Sequence, residues 1–370
     1  MADFSPSWTE IRKNLDRPLV VLTLGLFVLG LVALVSASLG VRRNHPEYPM
    51  KQLLWGLLGA LAYLGVLKVG YQNFLKQAVP LYLGALGLLV ALLVLGHAAK
   101  GAQSWFHLGP FRLQPSELGK VALGLVLAKH CSRVPPETPR AFLGTLGVAG
   151  VSLSLLLLQP DLGSALVYGA MTMVALWVSG AKPSYLACLG GAGLLAFPFA
   201  WQGLKTYQKM RLLVFLDPTL DPQGAGYNVI QSRIAVGSGG LVGKGFLAGT
   251  QSRLHFLPEP HTDFIFSVFA EEFGFLGCSL VLCLFALLFW RMIKVALQSR
   301  DLRAKILVAT LSAWLWFQVM ESIAMSMGLA PITGLPLPLF SYGGSSLLAE
   351  ALALGLVQSV AVSTARERFD

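Results

Sequence analysis

Apolar runs of membrane-crossing length constrain this chain more than any other feature. A helix needs roughly 17 to 25 residues to cross a hydrocarbon core of about 30 Å, and ten such runs can be placed. They lie near 18–39, 52–69, 78–96, 115–130, 141–158, 163–179, 184–203, 264–290, 305–328 and 343–363. With 55% hydrophobic and 12% charged residues, the composition fits no ordinary soluble domain. The expected fold is therefore an all-α polytopic membrane protein, with residues 1–370 forming a single integral membrane domain.

A signal peptide is the alternative for the first run, because Ser36-Ala37-Ser38 resembles a small-residue cleavage site. Its apolar core of over 20 residues is too long for that. Orientation follows from basic residues in short loops, which favour the cytoplasmic side. With the amino terminus inside, sixteen Lys and Arg fall on cytoplasmic segments, from Arg12 to Arg368. Five fall on short outer loops: Arg42, Arg43, Lys51, Lys100 and Arg112. Both termini are then cytoplasmic, and the long segment 204–263 between spans seven and eight is extracytoplasmic.

The net charge of +10 forms no basic stripe with interleaved aromatics, so a membrane surface, not nucleic acid, is the expected anionic partner. Cys131, Cys188, Cys278 and Cys283 make no CxxC pair and read as buried, unpaired residues. The glycine-rich run AVGSGGLVGKG suits either a flexible turn or close approach of backbone N–H groups to an anion. No GK[ST] follows it, so it is not a phosphate-binding P-loop. GxSxG is also absent, which leaves no serine-triad signature.

Acids at membrane depth are costly unless they are paired or line a wet cavity. Asp263 closes the run LPEPHTDF, where the long polar segment meets an apolar one. Glu117 and Lys120, in QPSELGK, stand three apart on one helical face. They form either a neutralising structural pair or the charged wall of a cavity for a polar or phosphorylated group. Asp161, in QPDLG, suits a helix N-cap. Glu271, Glu272, Glu321 and Glu350 are further acids near the last three spans, and a proton or ion relay is open to them. His255, His261 and Asp263 lack the spacing of a tetrahedral zinc site.

Four motifs in order carry a resemblance. They are KGAQSWFHLGPFRLQPSELGK, QPDLGSAL, the run from Gln231 to Gly277, and GLPLPLFSYGGSS. Together they resemble the SEDS family, which includes RodA and FtsW, and GKGFLAGTQSRLHFLPEPHTDFIF is more similar to the elongation member, RodA. The resemblance implies a peptidoglycan glycosyltransferase of the bacterial cytoplasmic (inner) membrane, joining lipid II units into β-1,4 strands on the outer face for elongation and rod shape. It also implies a class B penicillin-binding protein and other elongation proteins as partners. A lipid II flippase and a non-catalytic scaffold are the alternatives.

For an inverting transfer one general base within hydrogen-bond reach of the attacking hydroxyl suffices, and Asp263 is the expected base. The diphosphate leaving group needs charge stabilisation. Arg112 and Lys120 are the preferred cations, with Arg233, Lys244 and Arg253 as further candidates. Glu117 and His261 join the expected substrate-binding set. Trp105 suits stacking on a sugar or anchoring at the interface. No cofactor is required, but a divalent ion, Mg or Mn, bridging Asp263 to the diphosphate fits the chemistry.

Overall fold

The structure, a computed structural model, describes residues 6–39, 45–95, 97–99, 102–108, 111–254 and 256–367. Arg42, Arg43, Lys100, His255 and Arg368 lie outside these. Five helices come first: α1 (Trp8–Asn14), α2 (Arg17–Ser38), α3 (Glu47–Val69), α4 (Tyr71–Lys76) and α5 (Ala78–Leu95). Three strands follow, β1 (His97–Ala99), β2 (Ala102–Leu108) and β3 (Phe111–Leu113), as one antiparallel sheet in sequence order. Then come α6 (Pro115–Arg133), α7 (Pro139–Leu158), α8 (Leu162–Val178) and α9 (Pro183–Gly203). The long segment holds α10 (Thr206–Leu216), a 3₁₀ turn (Pro218–Leu220), α11 (Ala225–Ser238) and α12 (Thr250–Arg253). The chain closes with α13 (Ile265–Gln298), α14 (Leu302–Met327) and α15 (Gly344–Arg366).

Among the described residues, seven helices are long and apolar enough to cross a membrane: α2, α3, α5, α7, α13, α14 and α15. The other three expected runs are also helical, but α8 and the apolar part of α9 are short, and α6 carries Glu117 and Lys120. The fold is thus a mostly helical membrane architecture, with two departures from expectation. A small sheet occupies the segment before α6. The 204–263 segment is helical rather than an open loop, and α11 packs against α13 and α14.

Burial separates central from peripheral helices. In α15, 83% of the apolar stretch is buried, against 22% in α3. Leu53, Leu54, Leu57 and Leu61 of α3 are exposed, a stripe that lipid solvates at no cost. The other face of α3 meets α15 through small residues. A Cβ on Gly59 would stand 3.1 Å from Ala351 Cβ, and one on Gly355 would stand 3.2 Å from Tyr63 Cα. Small residues permit such close approach, which dispersion then rewards where no hydrophobic effect drives helices together. All four cysteines are free, but only Cys131 is buried. Cys188 and Cys283 are exposed because their helices turn those positions outward, which corrects the expectation of burial.

The non-helical stretch between α14 and α15 is packed inside protein, with Leu337, Leu339 and Phe340 buried. Irregular backbone at this depth requires substitute partners, and polar side chains supply them. Leu337 N donates to Ser341 Oγ at 2.9 Å and Leu339 N to Glu350 Oε2 at 2.8 Å. Gln318 Nε2 donates to the Pro336 carbonyl at 2.8 Å, and Gln52 Nε2 to that of Ser341 at 3.0 Å. Glu350 is thereby explained as a backbone acceptor, with a second hydrogen bond from Ser346 Oγ at 2.6 Å.

Candidate active site

Asp263 lies in a turn just before α13, half-buried, with its own N–H donating to the Glu259 carbonyl at 3.3 Å. Buried Phe264 and Ile265 anchor the turn from below. The two preceding residues are stapled to the entry of α15. Tyr342 N donates to the His261 carbonyl at 2.9 Å, and Ser341 Oγ to the Thr262 carbonyl at 2.7 Å. Asp263 is thus held by backbone geometry on both sides of a helix junction, the kind of support a positioned base needs.

A second carboxylate stands close by. Glu321 of α14 is buried, within electrostatic reach of Asp263, and accepts a hydrogen bond from Thr333 Oγ1. The next residue, Gly334, has φ +77°, and a Cβ there would stand 3.6 Å from Asp263 Oδ2. The Thr333-Gly334 turn therefore gathers the two acids. Glycine suits this position because it takes the left-handed backbone without strain.

Above the turn lies an aromatic cluster. The Tyr48 ring sits 4.7 Å from His261 and 4.6 Å from Tyr342, nearly parallel to the latter. Burial, and after it the neighbouring Tyr48, pushes the Tyr342 phenol above its ordinary range, so it remains a neutral hydroxyl. Arg112 is exposed on β3 and within electrostatic reach of both tyrosines. Its carbonyl accepts from Ser345 Oγ at 2.9 Å, which fixes β3 against the start of α15. His261 Nε2 also lies 3.7 Å from Glu259 Oε2. Asp263, His261 and Arg112 therefore belong to one locality. Tyr48, Tyr342, Thr333 and Gly334 complete it, and sequence reasoning assigned none of them a role. Only Tyr342, Thr333 and Gly334 had a visible signal, within or beside GLPLPLFSYGG.

The other expected site residues are placed differently. Lys120 is wholly buried, 2.7 Å from Glu117 Oε1 and 3.1 Å from Gln318 Oε1, with its ammonium 5.0 Å from the Trp314 ring centroid. Arg233 Nη2 donates to the Gly328 carbonyl at 2.8 Å, closing the end of α14. Lys244 Nζ lies 2.7 Å from Glu271 Oε1, and Arg253 Nη1 donates to the Leu247 carbonyl at 2.9 Å. Trp105 is half-buried on β2. Asp161 caps α8, accepting from Ser164 N at 3.0 Å, and Gln114 Nε2 reaches its Oδ2 at 3.4 Å. The two Gln-Pro-acid motifs are thereby joined.

The remaining intramembrane acids have protein partners. Glu271 accepts from Lys244, Thr250 and Gln251, and Glu272 from Ser36 Oγ. The glycine-rich run also has a protein partner. Helix α13 breaks its helical backbone at Gly274 (φ 62°, ψ −163°), which frees peptide groups on both sides of the break. Lys244 N and Gly245 N donate to the Glu271 and Glu272 carbonyls at 3.0 Å each. Phe275 N and Leu276 N donate back to the Gly240 and Leu241 carbonyls at 2.9 and 3.0 Å. These N–H groups serve the kink, not an anion. A Cβ on Gly243 would meet the Glu272 carbonyl oxygen at 2.1 Å, and its φ is +81°. Gly243→Ala is expected to lower stability by about 1–3 kcal/mol, read as a fall in the thermal midpoint in detergent; an unchanged midpoint would show that the seam yields freely.

Comparison with known proteins places this arrangement. The profile of the FTSW_RODA_SPOVE family, described as cell cycle protein, matches residues 17–366. The peptidoglycan glycosyltransferase MrdB of Escherichia coli K12 is 36% identical over 356 residues, covering 95% of this chain and 94% of that protein. Stage V sporulation protein E of Bacillus subtilis is 36% identical over 95% of this chain and 98% of its own. Among solved structures, a peptidoglycan synthase complex coordinating polymerization and crosslinking contains a chain that matches with TM-score 0.82 at 38% identity, covering 96% of this chain and 99% of that one. The rod shape determining protein RodA of Thermus thermophilus matches with TM-score 0.72 at 32% identity, over 96% of this chain and 98% of that one.

Proposed function

The chain belongs to the family of cell cycle proteins that comprises FtsW, RodA and SpoVE, and from that premise we propose how its site works. It is a peptidoglycan glycosyltransferase that polymerises lipid II. We place it in the elongation branch, in the bacterial inner membrane, as one ten-span unit with both termini cytoplasmic and Asp263 facing outward. The observation that carries the mechanism is Asp263 at the head of α13, its preceding turn clamped to α15, with a cationic Arg112 within electrostatic reach of the Tyr48–Tyr342 stack.

Asp263 takes the proton from the attacking GlcNAc 4-hydroxyl as oxygen bonds to the MurNAc anomeric carbon of the donor. The anomeric carbon–oxygen bond breaks, and undecaprenyl diphosphate leaves with inversion. Proton transfer by a positioned carboxylate supplies roughly 10²–10⁴-fold. Glu321, buried and held by Thr333, stands within electrostatic reach of Asp263. Arg112 is a surface cation that this geometry offers to the diphosphate, with Lys51 Nζ 5.9 Å from the Tyr48 ring centroid. Lys120 acts from inside, through Gln318, on the buried loop that carries Gly334. Among the described residues no group of three or more His, Cys, Asp and Glu gathers, so a divalent ion would be held by Asp263 together with the substrate phosphates and would supply charge stabilisation to the diphosphate. Lipid II is the substrate, and a class B penicillin-binding protein is the proposed partner, because a similar chain is found in a synthase complex.

Purified protein with its transpeptidase partner, given lipid II in detergent, is expected to yield glycan strands on a gel. Movement of lipid II across liposomes without polymer would overturn the reading in favour of transport. Arg112→Gln is expected to lower kcat/KM by roughly 10- to 100-fold, the loss of one charge-assisted contact of about 1.5–3 kcal/mol. Wild-type kinetics in that variant would remove Arg112 from the site.

A further inference from the structure

Ile265 opens α13 beside Asp263, and Arg291 lies 26 residues further on (291 − 265). At 1.5 Å per residue that is about 39 Å of helical path, bent once at Gly274, against the roughly 30 Å of a hydrocarbon core. Arg291 therefore sits at the membrane surface opposite Asp263. A cavity of about 310 Å³ opens there between α2, α13 and α15, and its polar lining is Asn14, Asp16, Arg17, Arg291, Gln298 and Thr364.

The charges in this cavity do not cancel. Arg291 pairs with Asp16 through Nη2, and Asp16 Oδ1 already accepts from Leu19 N at 3.1 Å as the cap of α2. Arg17, exposed at the rim, adds a second guanidinium against that one carboxylate. Arg291 Nε–H is buried with no acceptor among the described residues. A buried unmet donor on a cation costs more than the roughly 1–3 kcal/mol of a neutral one, so an acceptor belongs beside it. Guanidinium edges present parallel N–H groups that match a tetrahedral oxyanion. The volume is at the low end of the roughly 300–1,000 Å³ of small-molecule sites, room for a headgroup and not for a peptide. Basic pockets between spans at a membrane surface are where anionic headgroups bind.

We propose that the cavity lined by Arg17, Arg291, Asn14 and Gln298 binds a phosphate group at the membrane surface opposite the catalytic carboxylate. The group comes either from an anionic phospholipid or from a soluble phosphate ester. The inference is independent of the polymerisation chemistry.

The test uses the full chain in detergent, followed by native mass spectrometry with phosphatidylglycerol or phosphatidylcholine and thermal unfolding with inorganic phosphate. Three proteins are compared: wild type, Arg17→Gln, and the neutral pair Asp16→Asn/Arg291→Gln. Wild type is expected to retain one phosphatidylglycerol that survives activation, with phosphatidylcholine held less tightly. Each variant is expected to bind that lipid at least about tenfold more weakly. Stabilisation by inorganic phosphate in wild type alone, with equal lipid retention in all three, would assign the site to soluble phosphate. Equal lipid retention together with equal phosphate response would overturn the proposal. Arg17→Gln leaves the Arg291–Asp16 pair intact, so it decides the matter if the double variant fails to fold. Lipid II polymerisation by each variant reports that it is folded.

Discussion

Asp263→Asn is expected to cut kcat for glycan polymerisation by roughly 10²–10⁴-fold while leaving KM for lipid II and the thermal midpoint nearly unchanged. The amide keeps the shape and hydrogen-bonding reach of the carboxylate but cannot accept the hydroxyl proton. The clamp on residues 261–263 runs through backbone carbonyls, with Tyr342 N and Ser341 Oγ as donors, so it survives the substitution. Steady-state polymerisation with a melting curve on the same preparation checks both halves. Wild-type kcat would remove Asp263 as the base, and a collapsed midpoint would recast it as structural.

Lys120→Met carries the largest expected effect on stability. The ammonium and Glu117 are 2.7 Å apart, with 0% and 2% of their side chains exposed. Breaking such a pair leaves an uncompensated buried charge, at a cost of about 3–5 kcal/mol. The double variant Glu117→Gln/Lys120→Met removes both charges and is expected to recover most of that loss. Thermal unfolding of the three proteins in detergent tests the order, and a Lys120→Met midpoint equal to wild type would refute it. Activity in the double variant then separates two roles. Recovery of both stability and polymerisation identifies a pair that only neutralises itself, and removes the Lys120–Gln318 link from the mechanism. Recovery of stability alone identifies a charge that the substrate uses.

The helices were legible because length and hydropathy alone specify a helix in lipid. Even α6 could be read through its acid and base, since Pro115 at its start and the three-residue spacing of Glu117 and Lys120 are local signals. The helices of the 204–263 segment were missed because no apolar run of crossing length marks them. The strands before α6 were missed for the opposite reason. The aromatic run AQSWFHL between glycines carried a hairpin signal, but expectation of an all-helical chain hid it. At the site, Asp263 stood out as an acid at a boundary, and the motif context singled it out from the other carboxylates. Its companions could not be joined to it from sequence, because Tyr48 and the Glu321–Gly334 stretch lie far from Asp263 along the chain and meet it only in the folded bundle. The fate of the glycine-rich run was hidden likewise. Its flexibility was visible, but its partner, the broken backbone at Gly274, lies some thirty residues away.

That break makes the head of α13 a lever. Phe264 and nine helical residues, Ile265 to Phe273, stand between Asp263 and the hinge at Gly274, a helical arm of about 14 Å. A tilt of about 5° at the hinge carries the far end through about 1 Å, a displacement that costs on the order of 10² in rate when reacting groups must be aligned. The remaining 24 residues of α13 need not move (298 − 274). The run from Gly240 to Gly245 holds the hinge end of the arm, while Tyr342 and Ser341 hold the turn at its far end. A segment distant in sequence from Asp263 therefore shares in setting the aim of its carboxylate.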